Sequence, residues 1–304
     1  MIFSEIALSQ ISGYTNRLKG QVNSAQVSGS SDLSNFPVLM SFTLPDLRST
    51  GNGGLVQNVN GYDILFTSAN GTSILSHQIE TYDPTTGQIE IWVRFPTLSA
   101  TSNTEFYMYY GNSGIVSDPS SANVWDSNYK MVLHMNNNTN DASGEGTDAT
   151  DSGTSDAAGQ IGRARNYGTN QGDLIQVPDP GSSPLDITGN ITISFWINIS
   201  NLNDGPDLIT KGTYTDGYSI WITNNGNLRF QINNNALNGS SNNQISNGTW
   251  SYLTFTRSAS GRNIYVNGSL DASDGSGVSF NTNNDPLYIS TTAFDFEGSM
   301  DEVR

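Results

Sequence analysis

Few side chains in the 304-residue sequence can move a proton near neutral pH: two histidines, His77 and His134, far apart in the chain, and seven glutamates. Two separated imidazoles make no metal-hydrolase cluster and do not set up a Ser-His-Asp arrangement. Cysteine is absent, which removes disulfides, thiolate zinc sites, iron–sulfur clusters and thiol nucleophiles. Recognition is the chemistry that remains. A pyranose stacks its C–H face on an aromatic ring while its hydroxyls seek amides and carboxylates. One short run supplies both kinds of group: Tyr214, Asp216, Tyr218, Trp221 and Asn225. In a strand, Trp221 shares a face with Ser219 and Thr223, while Tyr218, Ile220 and Ile222 share the other. Aspartates in turns supply hard oxygen ligands, so a structural Ca²⁺ is the one cofactor to expect. Sequons at Asn70, Asn137, Asn190, Asn198, Asn238, Asn247 and Asn267 are glycosylation candidates, in a number that an Asn-, Ser- and Thr-rich chain carries by chance.

The elements that must hold these residues are strands. Apolar and polar residues alternate in short runs bounded by turn residues, among them Phe36–Leu44, Gln88–Phe95, Glu105–Tyr110, Ile191–Ile199, Tyr218–Thr223, Leu228–Ile232 and Trp250–Arg257. Asn225-Gly226 and Asn267-Gly268 supply the positive-φ pairs of tight hairpins. The pattern predicts an all-β fold of two β-sandwich, jelly-roll-like domains. Residues 136–159 are nearly free of large apolar side chains and read as a long polar loop. The opening Ile2, Phe3, Ile6, Ala7 and Ile11 fit a short helix, whereas Ile2, Ile6 and Leu8 fit a strand; the pattern leaves both open.

The formal net charge is −16 and the sequence pI about 4.2, with basic residues scattered, so neither nucleic acid nor an anionic membrane surface is an expected partner. No apolar stretch is long enough to span a membrane, and no signal peptide opens the chain, so an exported form is expected to have lost one.

Specific motifs sharpen this reading. Leu33–Leu39, Gly61-Tyr62-Asp63-Ile64-Leu65-Phe66-Thr67, Ile91-Trp92-Val93-Arg94-Phe95-Pro96 and Tyr107-Met108-Tyr109-Tyr110-Gly111-Asn112 together resemble a domain of unknown function that precedes laminin-G-like domains in prokaryotic surface proteins. Ile191–Ile197, Gly248–Thr256, Ile264-Tyr265-Val266-Asn267-Gly268 and Gly298–Arg304 are similar to the concanavalin-like laminin-G/pentraxin superfamily. The resemblance implies a tail or docking segment over 1–13, a first sandwich over 14–115, a connector over 116–128 and a laminin-G-like domain over 129–304. It implies a metal held by Asp301 and Asp141, core positions for Trp196 and Trp250, and a further strand portion beyond Arg304 or from a partner. Enzymes on the concanavalin fold carry a Glu-x-Asp-x-x-Glu spacing, which none of the glutamates here shows.

The expected function is a non-catalytic extracellular adhesion or recognition protein of the cell surface, binding a glycan or a surface protein. The alternative is a structural subunit of a surface layer or filament, in which the N-terminal segment adds a strand to another copy. A glycoside hydrolase is third.

Overall fold

The structure is a computed structural model that describes residues 2–6, 11–169, 172–202, 205–213, 215–240, 245–275 and 277–304. The chain is all-β and divides into two compact units, Met1–Asp126 and Ser127–Arg304. No helix among the described residues is long and apolar enough to cross a membrane.

The first unit contains β1 (Ile2–Ile6), β2 (Asn16–Val22), β3 (Leu33–Thr43), β4 (Leu65–Ser68), β5 (Ile74–Leu75), β6 (His77–Asp83), β7 (Gln88–Leu98) and β8 (Thr104–Tyr110). They form a five-stranded sheet, β1-β2-β8-β4-β5, and a three-stranded one, β3-β7-β6. Alternation in β7 sends Ile89, Ile91, Val93 and Phe95 into the core and leaves Glu90 and Arg94 facing out. There Phe95 meets Phe106 edge to face, centroids 5.7 Å apart. The ring of Phe106 covers Gly20 so closely that a Cβ would come within 2.3 Å of it.

Two of the motif runs of this unit meet at one carboxylate. Asp63 is fully buried and accepts hydrogen bonds from the backbone N–H groups of Gln57 (2.8 Å), Asn58 (2.9 Å), Gly111 (3.0 Å) and Asn112 (3.1 Å). Gly-Tyr-Asp and Tyr-Gly-Asn are therefore the two halves of a clasp, in which one carboxyl side chain satisfies backbone donors that the turns leave without partners.

Within the N-terminal segment, residues 2–6 form a paired strand. β1 pairs antiparallel with β2, placing Ile2 opposite Gln21 and Phe3 opposite Gly20, at the edge of its own sheet. A tethered strand reaches its own open edge at high effective concentration, which favours this over an unpaired extension.

The second unit contains β9 (Thr150–Ser152), β10 (Ser155–Ala158), β11 (Arg163–Tyr167), β12 (Leu174–Val177), β13 (Ile191–Asn201), β14 (Asp207–Lys211), β15 (Tyr218–Ile222), β16 (Leu228–Ile232), β17 (Asn235–Asn238), β18 (Ser251–Ser258), β19 (Gly261–Val266), β20 (Ser269–Asp274), β21 (Leu287–Ile289) and β22 (Glu297–Asp301). Two seven-stranded sheets result, β10-β11-β22-β13-β18-β19-β20 and β17-β16-β15-β14-β21-β12-β9. Their inner faces interdigitate: Phe255 of the first stacks on Phe195 of the same sheet (6.0 Å) and meets Phe230 of the other edge to face (5.7 Å).

The polar segment 136–159 is not wholly loop. It contributes β9 to the edge of one sheet and β10 to the edge of the other. Neither strand buries a side chain, so composition gives no sign of them; main-chain pairing holds them, with ion pairs from Arg163 to Asp156 and from Arg165 to Asp151. At Asn267-Gly268 both residues take positive φ as the hairpin requires, whereas at Asn225-Gly226 only Gly226 does and the loop is longer.

Candidate recognition face

The site is best built from β15. Tyr218, Ile220 and Ile222 point into the sandwich, so Ser219 and Trp221 must point out. Ladder register then fixes their neighbours. Trp221 lies opposite Asp207 of β14 and Arg229 of β16, and Ser219 opposite Thr210 and Gln231. Thr210 lies opposite Tyr288 of β21, which lies opposite Gln176 of β12. The outer face thus presents Gln176, Tyr288, Thr210 and Ser219 as one row across four strands, with Trp221, Arg229 and Asp207 beside it; the next position of the row, Gln231, is buried and donates its amide N–H to the Asn233 carbonyl (2.7 Å). Trp221, Tyr288 and Arg229 are half-buried, and Thr210 Oγ1 has no hydrogen-bond partner among the described residues. Burial pushes the Asp207 carboxyl up, and the hydrogen bond from the Thr291 hydroxyl (3.0 Å) offsets part of that.

The five residues that the sequence grouped do not form one site. Tyr218 is 4% exposed and meets Phe280 edge to face at 6.0 Å, so it belongs to the core and cannot stack on a ligand. Asp216 accepts from the N–H (2.9 Å) and hydroxyl (2.6 Å) of Thr213 and closes the turn before β15. Those bonds hold its carboxyl below the ordinary value. Asn225 is exposed at the hairpin beyond β15, where its Oδ1 accepts from the Thr223 hydroxyl at 2.5 Å. Tyr214 lies outside the described residues. Of the set, Trp221 alone stands on the outer face of the strand.

Asp141 and Asp301 do not fit a Ca²⁺ site. The Asp141 carboxylate already accepts from Val132 N (2.9 Å), Ser143 N (2.9 Å), Ser143 Oγ (2.7 Å), Gly146 N (3.1 Å) and Thr147 N (3.3 Å). A shell of N–H and O–H donors is one that a cation's oxygen ligands lack. Asp301 is fully buried, and its Oδ2 clasps the turn between β10 and β11 through Gln160 N (2.9 Å) and Ile161 N (2.8 Å). Among the described residues neither belongs to a group of three or more carboxylates and imidazoles close enough to share an ion. His134 is satisfied by Glu302, 2.8 Å from its Nδ1. Six sequon asparagines, Asn70, Asn137, Asn190, Asn238, Asn247 and Asn267, are exposed, while Asn198 is half-buried on the outer side of β13, opposite Ser299.

The comparisons fit this architecture. Residues 168–304 match the family described as the concanavalin A-like lectin/glucanases superfamily. The second unit is a concanavalin A-like domain. Residues 60–146 match a domain of unknown function (DUF2341), so the chain pairs that domain with the concanavalin A-like one in the order its motifs indicate. No curated protein matches the chain.

Among solved structures, domain 4 of AbnA, an extracellular arabinanase from Geobacillus stearothermophilus described in complex with arabinotriose, is 21% identical, with a TM-score of 0.48 over 58% of this chain and 90% of that one. The binding domain of Paraclostridial Mosquitocidal Protein 1 is 22% identical, with a TM-score of 0.47 over 57% and 47%. The botulinum neurotoxin serotype D binding domain is 19% identical, with a TM-score of 0.46 over 57% and 46%. The chain spans about half the length of these two toxin domains.

Reading the concanavalin A-like motif as core misplaced Trp196. In β13 the inward residues are Ile191, Ile193, Phe195, Ile197 and Ile199, which turns Trp196 outward. There it packs on Tyr252 of β18, centroids 5.1 Å apart. Strict alternation was the signal that places it. Trp250 is also only half-buried.

Proposed function

We propose that this chain is a non-catalytic, extracellular recognition protein whose concanavalin A-like domain binds a glycan on the outer face around Trp221. The carrying observation is a half-buried indole on the outer face, flanked by Arg229 and Asp207 beside a row of polar side chains that spans four strands. Such a face offers a ring for the sugar's C–H groups and hydrogen-bonding groups for its hydroxyls. The ladder neighbours of Asp207 on this face are Trp221 and, beyond it, Arg229, so the second carboxylate that glycoside hydrolysis needs is missing from that row. The test is a glycan array followed by calorimetry on the best ligand. Trp221→Ala is expected to weaken binding at least tenfold, the loss of about 1.4 kcal/mol or more from one stacking ring, while Trp196→Ala leaves it unchanged. Loss of binding in Trp196→Ala with Trp221→Ala unaffected would move the site to the other sheet and overturn this reading.

A further inference from the structure

One inward-facing residue of β14 is a lysine. Lys211 lies opposite the core residues Tyr218 and Leu287, and its side chain is 2% exposed. Its Nζ sits 2.6 Å from Asp179 Oδ2 and 3.1 Å from Asp186 Oδ1, at a small cleft lined also by Tyr218 and Phe280. The backbone carbonyls of Asp285 (2.9 Å) and Asn283 (3.1 Å) accept two of its hydrogens, and Asn283 Oδ1 is at 3.4 Å. The Asp179 side chain is 1% exposed and that of Asp186 19%. Asp186 takes a hydrogen bond from Ser183 N on Oδ2, while its Oδ1 has no hydrogen-bond partner.

Two features go beyond a structural ion pair. Two carboxyl groups surround one cation, more negative charge than the amine requires. A nucleophilic amine, a carboxyl carbon and a second carboxyl also stand together with the amine and the first carboxyl almost wholly shielded from water.

We propose that Lys211 and Asp179 condense into an intramolecular isopeptide bond, with Asp186 carrying the proton. The Lys211 ammonium passes a proton to the carboxyl pair, and the neutral Nζ attacks Cγ of Asp179. The Asp179 C–O bond breaks, and its oxygen leaves as water with the protons that Asp186 relays. The net change is ammonium plus carboxylate to amide plus water, balanced in charge and needing no oxidant or co-reactant. In dilute solution water opposes this condensation, but groups held in contact reach effective molarities of about 10⁵–10⁸ M. The bond would tie β14 to the segment after β12, across β21, closing a loop between positions 32 residues apart. In a chain without cysteine it supplies the covalent tie that a disulfide cannot.

The test is the intact mass of the full 304-residue chain, produced without glycosylation and measured denatured, followed by peptide mapping. The expected mass is one water below the sequence mass, with no cleavage after Lys211, so that the tryptic peptide 166–229 appears intact, one water light, with an internal loop joining residues 179 and 211. A chain at full sequence mass overturns the proposal. A deficit of one ammonia, with the branch on Asn283, overturns the choice of Asp179. Asp186→Asn is expected to restore the full mass; a variant still one water short would remove Asp186 from the reaction. The wild-type measurement decides the bond whether or not the variant folds.

Discussion

Two places in the second unit gather polar groups around aspartate, with opposite stoichiometry. At Asp141 one carboxylate receives five N–H and O–H donors from residues 132–147. At Lys211 one cation faces two carboxyl groups and two backbone carbonyls. In the first, donors fill the carboxylate's acceptor sites and the arrangement is complete as it stands; it shapes a segment with no core of its own. In the second, acceptors outnumber what the cation needs, and the surplus carboxyl leaves the cluster able to react. Asp63 of the first unit belongs with Asp141: one carboxylate, four backbone donors, and a clasp rather than a reactive centre.

The comparison breaks most visibly at Lys211. Lys211→Met removes the cation and leaves two carboxyls facing each other in a nearly dry site, and the expected loss is about 3–5 kcal/mol of unfolding free energy in urea. A loss under about 1 kcal/mol would mean that the carboxyls find water and the cluster is not buried in solution. Asp141→Ala is expected to lose less, about 2 kcal/mol, because its donors are backbone groups in a half-exposed loop that water can partly satisfy. If Asp141→Ala proved the more damaging of the two, the ranking of the sites would be reversed.

Acid sharpens the same contrast. Burial alone would raise the Asp141 carboxyl, but the hydrogen bonds from Val132, Ser143 and Thr147 outweigh it and hold the group below the ordinary 3.8. A carboxyl depressed by folding contributes stability that is fully present above the unfolded value and is lost as pH falls through the folded one. The stability gap between wild type and Asp141→Ala should therefore be constant from pH 7 to about pH 4 and close below 3.8. A gap that persists at pH 2 would show that the loop depends on something other than the ionised carboxylate. Asp179 gives the other arm: as a free acid it too is held low, by Lys211 and Gly181 against the pull of burial, but as an amide it does not titrate at all.

Much of this architecture was legible in the residues. Alternation in β7, β13, β15 and β18 identifies both the strands and their inward faces, and it separates Tyr218 from Trp221 correctly. The same rule applied to Trp196 would have placed it outside, had a family motif not been read as core. β9 and β10 were invisible because strands held by main-chain pairing and surface ion pairs carry no apolar signature. The Lys211 cluster was invisible for a different reason. Lys211, the Asp179 and Asp186 pair, and Asn283 come from three segments that only the strand order β14-β21-β12 brings to one end of the sandwich, and no local spacing encodes that.

The smallest expected effect is the one that tests the Asp141 side most directly. If the five donors complete that carboxylate, a chelator has nothing to remove, and the melting temperature should agree within about 1 °C with and without Ca²⁺; for a unit of this size that corresponds to less than about 0.5 kcal/mol. A site that bound Ca²⁺ at a hundred times its dissociation constant would instead stabilise the fold by about 2.7 kcal/mol, a shift of several degrees. The two outcomes are far enough apart for one calorimetric scan to separate them. A Ca²⁺-dependent rise abolished in Asp141→Ala would require the loop to open and exchange N–H donors for a cation, which would turn a finished clasp into a switch.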